Sequence, residues 1–322
     1  MLTTYKWMPR TGLTDAGQDL SPGCWIDLAE PSQDEIEKVG GIYDFPPEFL
    51  TDPLDKDERA RVEIDEDSSA ALIVLRIPCK SDDDDAVPYT TVPFGIVVTP
   101  NAVITVCARQ TALIDEFRLA RRSCPPYDRH RFAFNIMLKA ATLFLRYLRE
   151  IGDDADRIER NLHLHQALKN DSLIDLRDLQ KALVYFTTSL TSDEIVVSRL
   201  GHMRQLGINE DDLDFLDDVA IEYRQALEMS TIHANILTGT MDSFASVISN
   251  NLNVVMKSLT AVTIVFMLPT LISSIYGMNV HLPLQAVSPP ESQSLVAFFV
   301  IMGISFVLAL GTVFFFIRRK LF

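Results

Sequence analysis

The sequence predicts an α/β domain in residues 1–127, a helical region after it, and two transmembrane helices near the C-terminus. Three observations support this fold class. Short β-branched runs bounded by turn residues fill the first part of the chain. Beyond Pro126, apolar residues recur three and four positions apart, with few prolines or glycines. Two uncharged apolar runs, 258–276 and 295–317, follow near the end of the chain.

The strands of the first domain are predicted from their composition. Turn formers such as Pro78 and Asn101 separate them. The predicted strand runs are apolar and rich in β-branched residues, and they lie at 25–28, 70–77, 92–98 and 102–107. Residues 32–35 read Ser-Gln-Asp-Glu, which is the pattern of a capping box. We therefore expect a helix to begin there.

Long helices are predicted after the α/β domain. Residues 128–210 form a helical region, and residues 211–257 form a stalk helix that runs into the first apolar run, because no proline interrupts it before Pro269. Segment 131–149 is also apolar, but two basic residues stand in it at helical spacing. It is therefore predicted to be an amphipathic helix of the soluble part.

The two apolar runs have the length of membrane spans, since a helix of about 20 residues crosses ~30 Å of hydrocarbon. We assign 258–279 to the first span, 280–294 to an external loop and 295–317 to the second span. Lys257 precedes the first span, three basic residues lie in the tail 318–322, and the loop has no Lys or Arg. The positive-inside rule then predicts a multi-pass protein of the cell (inner) membrane with both termini in the cytoplasm.

Composition excludes several other classes of function. The formal net charge of −15 argues against a nucleic-acid partner, which needs a basic surface. The four cysteines form no C-x-x-C pair and suit a reducing compartment. No apolar signal-peptide segment stands at the N-terminus. We find no P-loop, no G-x-G-x-x-G and no Ser/His/Asp arrangement, so we expect no enzyme.

The first span carries a stripe of small, polar or soft residues at spacings of three and four. Its members are Asn253, Met256, Thr260, Thr263, Met267, Thr270, Ser274 and Gly277. A polar stripe in a membrane must face protein or water rather than lipid. Close helix packing would favour the same small residues, so both interpretations remain open from the stripe alone. A pore would need several copies of the chain around an axis.

The first span ends at Tyr276-Gly277-Met278-Asn279. Glycine suits a helix end, and the Asn amide offers a neutral carbonyl oxygen. Mg²⁺ holds its water shell tightly, so a ring of such oxygens could hydrogen-bond the hydrated ion without stripping it. A carboxylate ring would bind more tightly and slow release. A plain Gly-Asn helix cap is the alternative.

At this point the chain resembles the CorA family of magnesium transporters. The resemblance is carried by residues 253–260, Asn-Val-Val-Met-Lys-Ser-Leu-Thr, by 266–270, Phe-Met-Leu-Pro-Thr, and by 276–279, Tyr-Gly-Met-Asn. The second span, the basic tail, the Trp-Ile-Asp-Leu run at 25–28 and residues 59–63 ahead of a strand also fit that family. The resemblance covers nearly the whole chain.

The resemblance implies a homopentameric channel whose stalk helix continues into a pore-lining first span. It places Tyr276, Gly277, Met278 and Asn279 in an outer selectivity ring and Asn253 in a polar ring at the inner mouth. It gives Met256 and Leu259 the role of an apolar gate and turns Met267, Thr270 and Ser274 to the pore. It also implies a regulatory divalent-ion site between Asp52 and Asp218 of neighbouring subunits.

The chain departs from the family pattern in several places. The stretch after Asn279 lacks the usual acidic residues, Pro269 stands one position late, and Ser274 replaces a frequent glycine. Thr51 and Ile221 are not acidic beside the regulatory positions, where the family can offer further carboxylates. These departures bear on external cation collection and on the strength of the regulatory site.

The predicted function is passive, membrane-potential-driven transport of divalent cations, Mg²⁺ above all. Mg²⁺ is expected both as the transported ion and as the regulatory ion that closes the pore from the cytoplasm. A zinc, cobalt or nickel transporter of the same fold is one alternative, although Met278 favours the magnesium branch. A membrane-anchored scaffold without transport is another. The acidic run 82–85 is the next candidate for the regulatory site.

Overall fold

The structure is a computed structural model of the 322-residue chain. It describes residues 1–9, 11–17, 19–81, 87–119, 124–164, 170–278 and 291–319. Two compact units make up the chain, Met1–Met241 and Asp242–Phe322. Asn279, most of the predicted external loop and the acidic run 82–85 lie outside the described residues.

The first unit begins as an α/β domain and continues as long helices. Its strands are β1 (Leu2–Met8), β2 (Gly12–Gly17), β3 (Cys24–Ala29), β4 (Arg61–Asp65), β5 (Ala70–Lys80), β6 (Tyr89–Val98) and β7 (Ala102–Cys107). The helices of the whole chain are α1 (Gln33–Gly40), α2 (Glu48–Thr51), α3 (Ala112–Leu119), α4 (Arg129–Leu164), α5 (Asn170–Leu200), α6 (Glu210–Tyr276) and α7 (Glu291–Arg318). Single 3₁₀ turns lie at Asp52–Leu54 and Arg204–Leu206.

The seven strands form one sheet in the order β2-β1-β3-β7-β6-β5-β4. Neighbouring strands are antiparallel except β3 and β7, which run parallel with Ile26 opposite Ile104. The four predicted strand runs are confirmed as β3, β5, β6 and β7. Strands β1, β2 and β4 were not predicted, because threonine, lysine and glycine interrupt the apolar pattern of residues 2–17 and charged residues interrupt that of β4.

Alternation along β3 divides its side chains between two buried layers. Cys24, Ile26 and Leu28 pack with α1 and α2 on one face of the sheet. Trp25 points to the other face, where its ring lies 5.6 Å from Phe117 of α3 and 5.5 Å from Phe132 of α4. Burial on both faces explains why β3 reads as an apolar run rather than as a half-polar strand.

The predicted capping box at the start of α1 is confirmed. The Ser32 hydroxyl accepts from the Glu35 backbone N–H, and the Glu35 carboxylate accepts from the Ser32 backbone N–H at 3.0 Å. Glu35 also accepts from the backbone N–H of Leu2 at 2.8 Å. This helix end is therefore tied to the first strand as well as capped.

The helices after the sheet follow the predicted pattern. Segment 131–149 lies within α4 and buries its apolar side, including Phe132 and Phe144, against the first unit's core. The stalk and the first apolar run form a single helix, α6, of 67 residues. Pro269 lies inside this helix, which continues to Tyr276. Helix α7 begins at Glu291, four residues before the predicted second span.

Candidate functional site

The predicted stripe occupies one side of the membrane part of α6. At about 100° per residue, its eight members fall within a sector of roughly 120°. The side chains of Asn253, Thr263, Thr270 and Ser274 are exposed in the single chain. Met267 is 61% exposed. All eight residues of the stripe are therefore exposed in the single chain.

The opposite side of the same helix is the one that the chain covers. Ala261 is only 3% exposed, although it lies in the apolar run. The remaining less exposed positions of this segment are Ser258, Val265, Leu268, Pro269, Ile272 and Tyr276. At about 100° per residue, these positions centre roughly 180° from the stripe. Contacts within one chain therefore lie on the side of α6 opposite the stripe.

The threonines of the stripe turn their donors inward. The hydroxyls of Thr260, Thr263 and Thr270 each donate to the backbone carbonyl four positions earlier, at 2.8 Å. Because the hydroxyl proton is used within the helix, the oxygen lone pairs remain as acceptors on the exposed side. Water molecules around a cation point their hydrogens outward. A line of acceptor oxygens therefore suits a hydrated cation.

The outer end of α6 lies within the Tyr-Gly-Met-Asn run, three residues before the predicted end of the first span. The helix ends at Tyr276, and the backbone N–H of Gly277 donates to the Ser273 carbonyl at 3.0 Å. A Cβ at Gly277 would meet that same carbonyl oxygen at 3.3 Å, which is tighter than most real contacts. A glycine here lets the chain turn without crowding the helix end. Met278 is exposed, and Asn279 follows outside the described residues.

The inner end of the stripe combines one polar and two apolar positions. Asn253, Met256 and Leu259 follow each other at intervals of three residues, so they lie on one side of α6. Met256 and Leu259 are each 58% exposed in the single chain. Lys257 is exposed about 100° away from Met256 around the helix. An apolar ring next to a polar ring would form if copies of this side met.

Two helices of the described chain are long and apolar enough to cross a membrane. They are α6 and the segment Phe298–Arg318 of α7, and only 6% of the apolar window of each is buried. A core helix of a soluble protein would be mostly buried. Arg318 ends the second candidate span, and Arg319 follows it. This exposure and length fit lipid contact rather than a soluble core.

The two predicted regulatory aspartates lie on different elements of the first unit. Asp52 begins a 3₁₀ turn, and its carboxylate accepts from Arg61 at 2.6 Å. Asp218 is exposed on the first turns of α6. The polar contacts that Asp52 makes in the described chain lie within residues 48–61 and do not include Asp218. Within the described residues, no group of three or more His, Cys, Asp or Glu side chains is placed to hold a metal.

Sequence reasoning missed the partner of Asp52. Arg61 contacts the carboxylates of Asp52, Glu58 and Glu63 at the same time. The available signal was the alternation of acidic and basic residues at 58–63, which stands next to a predicted strand. The pairing depends on the turn at Asp52, which a linear pattern does not reveal.

Two buried carboxyl groups of the first unit were also missed. Asp27 is 7% exposed and accepts from the Thr105 hydroxyl at 2.7 Å, and burial raises the pKa of its carboxyl to about 6. Asp193 is fully buried and accepts from the Arg76 backbone N–H at 2.9 Å, and burial raises the pKa of this group well above its usual value. An aspartate usually indicates an exposed position, so no local pattern points to the burial of either residue.

Comparison with known proteins gives a consistent result. The model of the family described as CorA-like Mg²⁺ transporter protein matches residues 22–319. The cobalt/magnesium transport protein CorA of Methanocaldococcus jannaschii is 28% identical over 266 residues, which cover 81% of this chain and 81% of that protein.

Solved structures share the fold. The complete structure of the CorA magnesium transporter from Methanocaldococcus jannaschii has a TM-score of 0.82 at 24% identity, covering 99% of this chain and 98% of that one. The ZntB cytoplasmic domain from Vibrio parahaemolyticus has a TM-score of 0.60 at 13% identity, covering 77% of this chain and 98% of that one. The predicted fold class, an α/β domain followed by a long helix and a C-terminal apolar helix, is confirmed.

Proposed function

This chain belongs to the family of CorA-like Mg²⁺ transporter proteins, and from that premise we propose that it conducts Mg²⁺ passively through the central pore of a homopentamer. Family membership makes it an ion transporter rather than an enzyme. Beyond family membership, we propose three properties: the number of subunits, the passive mechanism and the preference for Mg²⁺.

One observation carries it: every position of the polar stripe of α6 is exposed, while the less exposed positions of the same helix lie on the other side. An exposed line of hydroxyl and amide groups is costly against lipid. Copies arranged around an axis would turn these stripes toward shared water and leave apolar surfaces for lipid. Helix–helix packing is the alternative for the stripe, and within one chain the less exposed positions of α6 lie on the other side of the helix.

Selectivity is assigned to the outer ring, Asn279 with Gly277, Met278 and Tyr276 beside it. Five amide oxygens would accept hydrogen bonds from the waters of Mg²⁺, which exchanges those waters reluctantly. The last carbonyls of α6 also point toward this end, and the negative end of the helix dipole favours a cation there. Neutral oxygens allow the ion to leave, which a conducting site requires.

The gate is assigned to Met256 and Leu259 near the cytoplasmic end. Five copies of each would form an apolar constriction that excludes water when narrow. Asn253 would hold a polar ring just inside this constriction, while Met267, Thr270 and Ser274 line the path beyond it. Small rotations of α6 would then open or close the pore.

Regulation is assigned to Mg²⁺ bound between Asp52 of one subunit and Asp218 of its neighbour. Two facing carboxylates repel each other, and a divalent ion reverses that repulsion. Occupied sites would hold the subunits in a closed arrangement. A ligand shifts such an equilibrium only by its differential affinity, and a full switch takes about 5.5 kcal/mol in total. Several weak sites together could supply that energy.

The membrane potential is the proposed driving force. A divalent ion gains about 4.6 kcal/mol per 100 mV, twice the value for one charge. The sequence holds no P-loop for a nucleotide-driven pump. Basic residues at Lys257 and in the tail support cytoplasmic termini, an external 280–294 loop and insertion in the cell's inner membrane.

A second candidate is a zinc, cobalt or nickel transporter of the same architecture. The specific observation in its favour is the relative described as a cobalt/magnesium transport protein. The acid-poor stretch after Asn279 also departs from the usual magnesium pattern. Met278 favours Mg²⁺, because the zinc branch usually varies that position.

The test is cation flux into liposomes that hold the purified full-length protein and no other. An inside-negative K⁺ diffusion potential is applied, and Mg²⁺, Co²⁺, Ni²⁺ and Zn²⁺ are offered in turn. We expect Mg²⁺ entry that grows with the potential. Faster entry of Zn²⁺, Co²⁺ or Ni²⁺ would select the second candidate. Flux of every ion at the level of protein-free vesicles would leave only the scaffold interpretation.

A further inference from the structure

Arg61 holds the carboxylate to which we assign the regulatory ion. Its Nη2 lies 2.6 Å from Asp52 Oδ2, and the two side chains are 30% and 33% exposed. The same guanidinium contacts Glu58 through Nη1 and Glu63 at 3.3 Å. A guanidinium remains charged at every physiological pH. Asp52 therefore already has a cation beside it in each subunit.

Both partners of this ion pair are fixed by the fold. The turn that begins at Asp52 packs Pro53 against β6, so closely that a Cβ at Gly95 would lie 2.4 Å from the Pro53 ring. The Arg76 guanidinium donates to the carbonyls of Lys56 and Glu58 at 3.2 and 2.8 Å. The segment between the partners is thus tied to the sheet at two points.

The other partner sits on the sheet itself. Arg61 is the first residue of β4 and lies opposite Val74 of β5. A preorganised ion pair loses little side-chain freedom when it forms, unlike an ordinary surface pair. The fold of the domain therefore holds Arg61 and Asp52 in contact.

This arrangement has a direct consequence for cation binding. Asp52, Glu58 and Glu63 carry three negative charges and Arg61 one positive charge, which leaves a net charge of −2 around the guanidinium. A divalent ion that approaches Asp52 meets the guanidinium's repulsion and must compete for the oxygen that accepts its hydrogen bond. Glu58 and Glu63 offer Arg61 other carboxylates when it moves aside.

We propose that Arg61 is a tethered competitor of the divalent cation at Asp52, and that this competition sets the cation concentration at which the sensing site fills. The inference rests on the proposed regulatory role of Asp52 and Asp218. Arg61 does not touch the ion, yet it sets the cation concentration at which the site between Asp52 and Asp218 fills. When the site is occupied, Arg61 gives up Asp52 and keeps its contacts with Glu58 and Glu63.

The experiment measures the Mg²⁺ concentration that half-protects the cytoplasmic unit of the full-length protein in detergent against protease. Arg61→Gln keeps a polar but shorter side chain and removes the charge. We expect its midpoint to fall about tenfold. Arg59→Gln is the matched control, because Arg59 is exposed two positions away. Its midpoint should stay within about twofold of wild type, since exposed charges are screened.

A second variant guards against a folding defect in the first. Glu58→Gln removes one of the carboxylates that draw Arg61 away from Asp52, so the midpoint should rise about threefold. Two variants of one cluster then move the midpoint in opposite directions. Loosening of the loop alone would raise it in both, and that result, or unchanged midpoints, would overturn the competition.

Asp52→Asn and Asp218→Asn separate this inference from the function on which it rests. If either abolishes Mg²⁺ protection while Arg61→Gln keeps the wild-type midpoint, the site exists and the competition is wrong. If both keep wild-type protection, the regulatory assignment itself fails. Abolished protection together with a lowered Arg61→Gln midpoint supports both.

Discussion

The two units of the chain differ in the burial of their large apolar side chains. In Met1–Met241, large side chains such as Trp25, Phe132 and Phe144 are completely buried. In Asp242–Phe322, Phe299, Phe306 and Phe314 are each more than 60% exposed. The first unit closes its own core, as a soluble domain does. The second exposes apolar surface that only lipid or other copies can cover.

Polar groups differ in one respect: the first unit links distant elements through buried side chains, whereas threonine bonds to a carbonyl of the same helix occur in both units. In the first unit, the Trp25 ring N–H donates to Thr105, whose hydroxyl donates to Asp27, so distant elements satisfy one another. In the second unit, Thr263 and Thr312 donate to their own helices. A helix surrounded by lipid must satisfy its donors internally. The free acceptor oxygens of the stripe are therefore the polar groups that the second unit can offer to a ligand.

The largest expected effect tests that chemistry at its outer end. Asn279→Ala should reduce Mg²⁺ flux in liposomes to the protein-free background, because an alanine ring offers no acceptor to the hydrated ion. Asn250→Ala is the control, since Asn250 lies outside the stripe on the same helix. Both variants should assemble like wild type on size-exclusion chromatography. Wild-type flux in an assembled Asn279→Ala protein would remove this residue from the selectivity role.

Replacing one phenylalanine by alanine in each unit tests whether the two units differ in packing. Phe132→Ala should lower the free energy of unfolding of the first unit by about 3–5 kcal/mol, because it leaves a cavity in a closed core. Phe299→Ala should change it by less than about 1 kcal/mol. Both tryptophans, Trp7 and Trp25, lie in the first unit, so their fluorescence reports its denaturant transition. Equal losses in the two variants would contradict the division.

A pH titration tests the burial of Asp27. Burial raises the pKa of its carboxyl from 3.8 to about 6, so the folded state binds the proton more tightly than the unfolded state. This contribution to stability is complete below about pH 4 and is lost as pH rises to about 6, a change of about 3 kcal/mol.

Asp27→Asn should remove that slope from the fluorescence-detected stability of the first unit. Asp57→Asn, at an exposed position, should keep it. The neighbouring charges that face Asp27 are the N-terminus, Asp115 and Arg118. A slope that survives in Asp27→Asn would place the titrating group elsewhere in the unit.

The smallest expected effect concerns the apolar gate. Met256→Ser and Leu259→Ser should each raise Mg²⁺ flux about tenfold at internal Mg²⁺ concentrations that close wild type, because a polar ring no longer expels water. Val254→Ser changes an exposed residue of the same helix outside the stripe and serves as the control. Unchanged flux in both the Met256 and the Leu259 variants would locate the gate elsewhere.

Many features of the fold and of the stripe could be predicted from sequence because strong local signals carry them. The strands at β3, β5, β6 and β7 and the cap at Ser32 follow from composition, and α6 from its lack of an early proline. The spacing of Thr263, Met267 and Thr270 is by itself enough to place them on one side of a helix. Such patterns depend only on residues near each other in the chain.

The remaining features depend on contacts between distant elements. Strands β1 and β2 form because β1 pairs with both β2 and β3, although their own sequence pattern is weak. Asp193 is buried because it accepts an N–H of β5, 117 positions earlier in the chain. Arg61 reaches Asp52 because a turn brings them together. The covering of Ala261 opposite the stripe likewise depends on the fold rather than on its neighbours in sequence.

We propose that the stripe of α6 faces water in the assembled protein. The most direct measurement compares single cysteines at Thr263 and Val265 in a variant whose four native cysteines are replaced. The full-length protein in liposomes is treated with a small water-soluble thiol reagent under conducting conditions. We predict rapid modification at 263, blocked by excess Mg²⁺, and little at 265. Equal modification at both positions, or faster modification at 265, would contradict the claim.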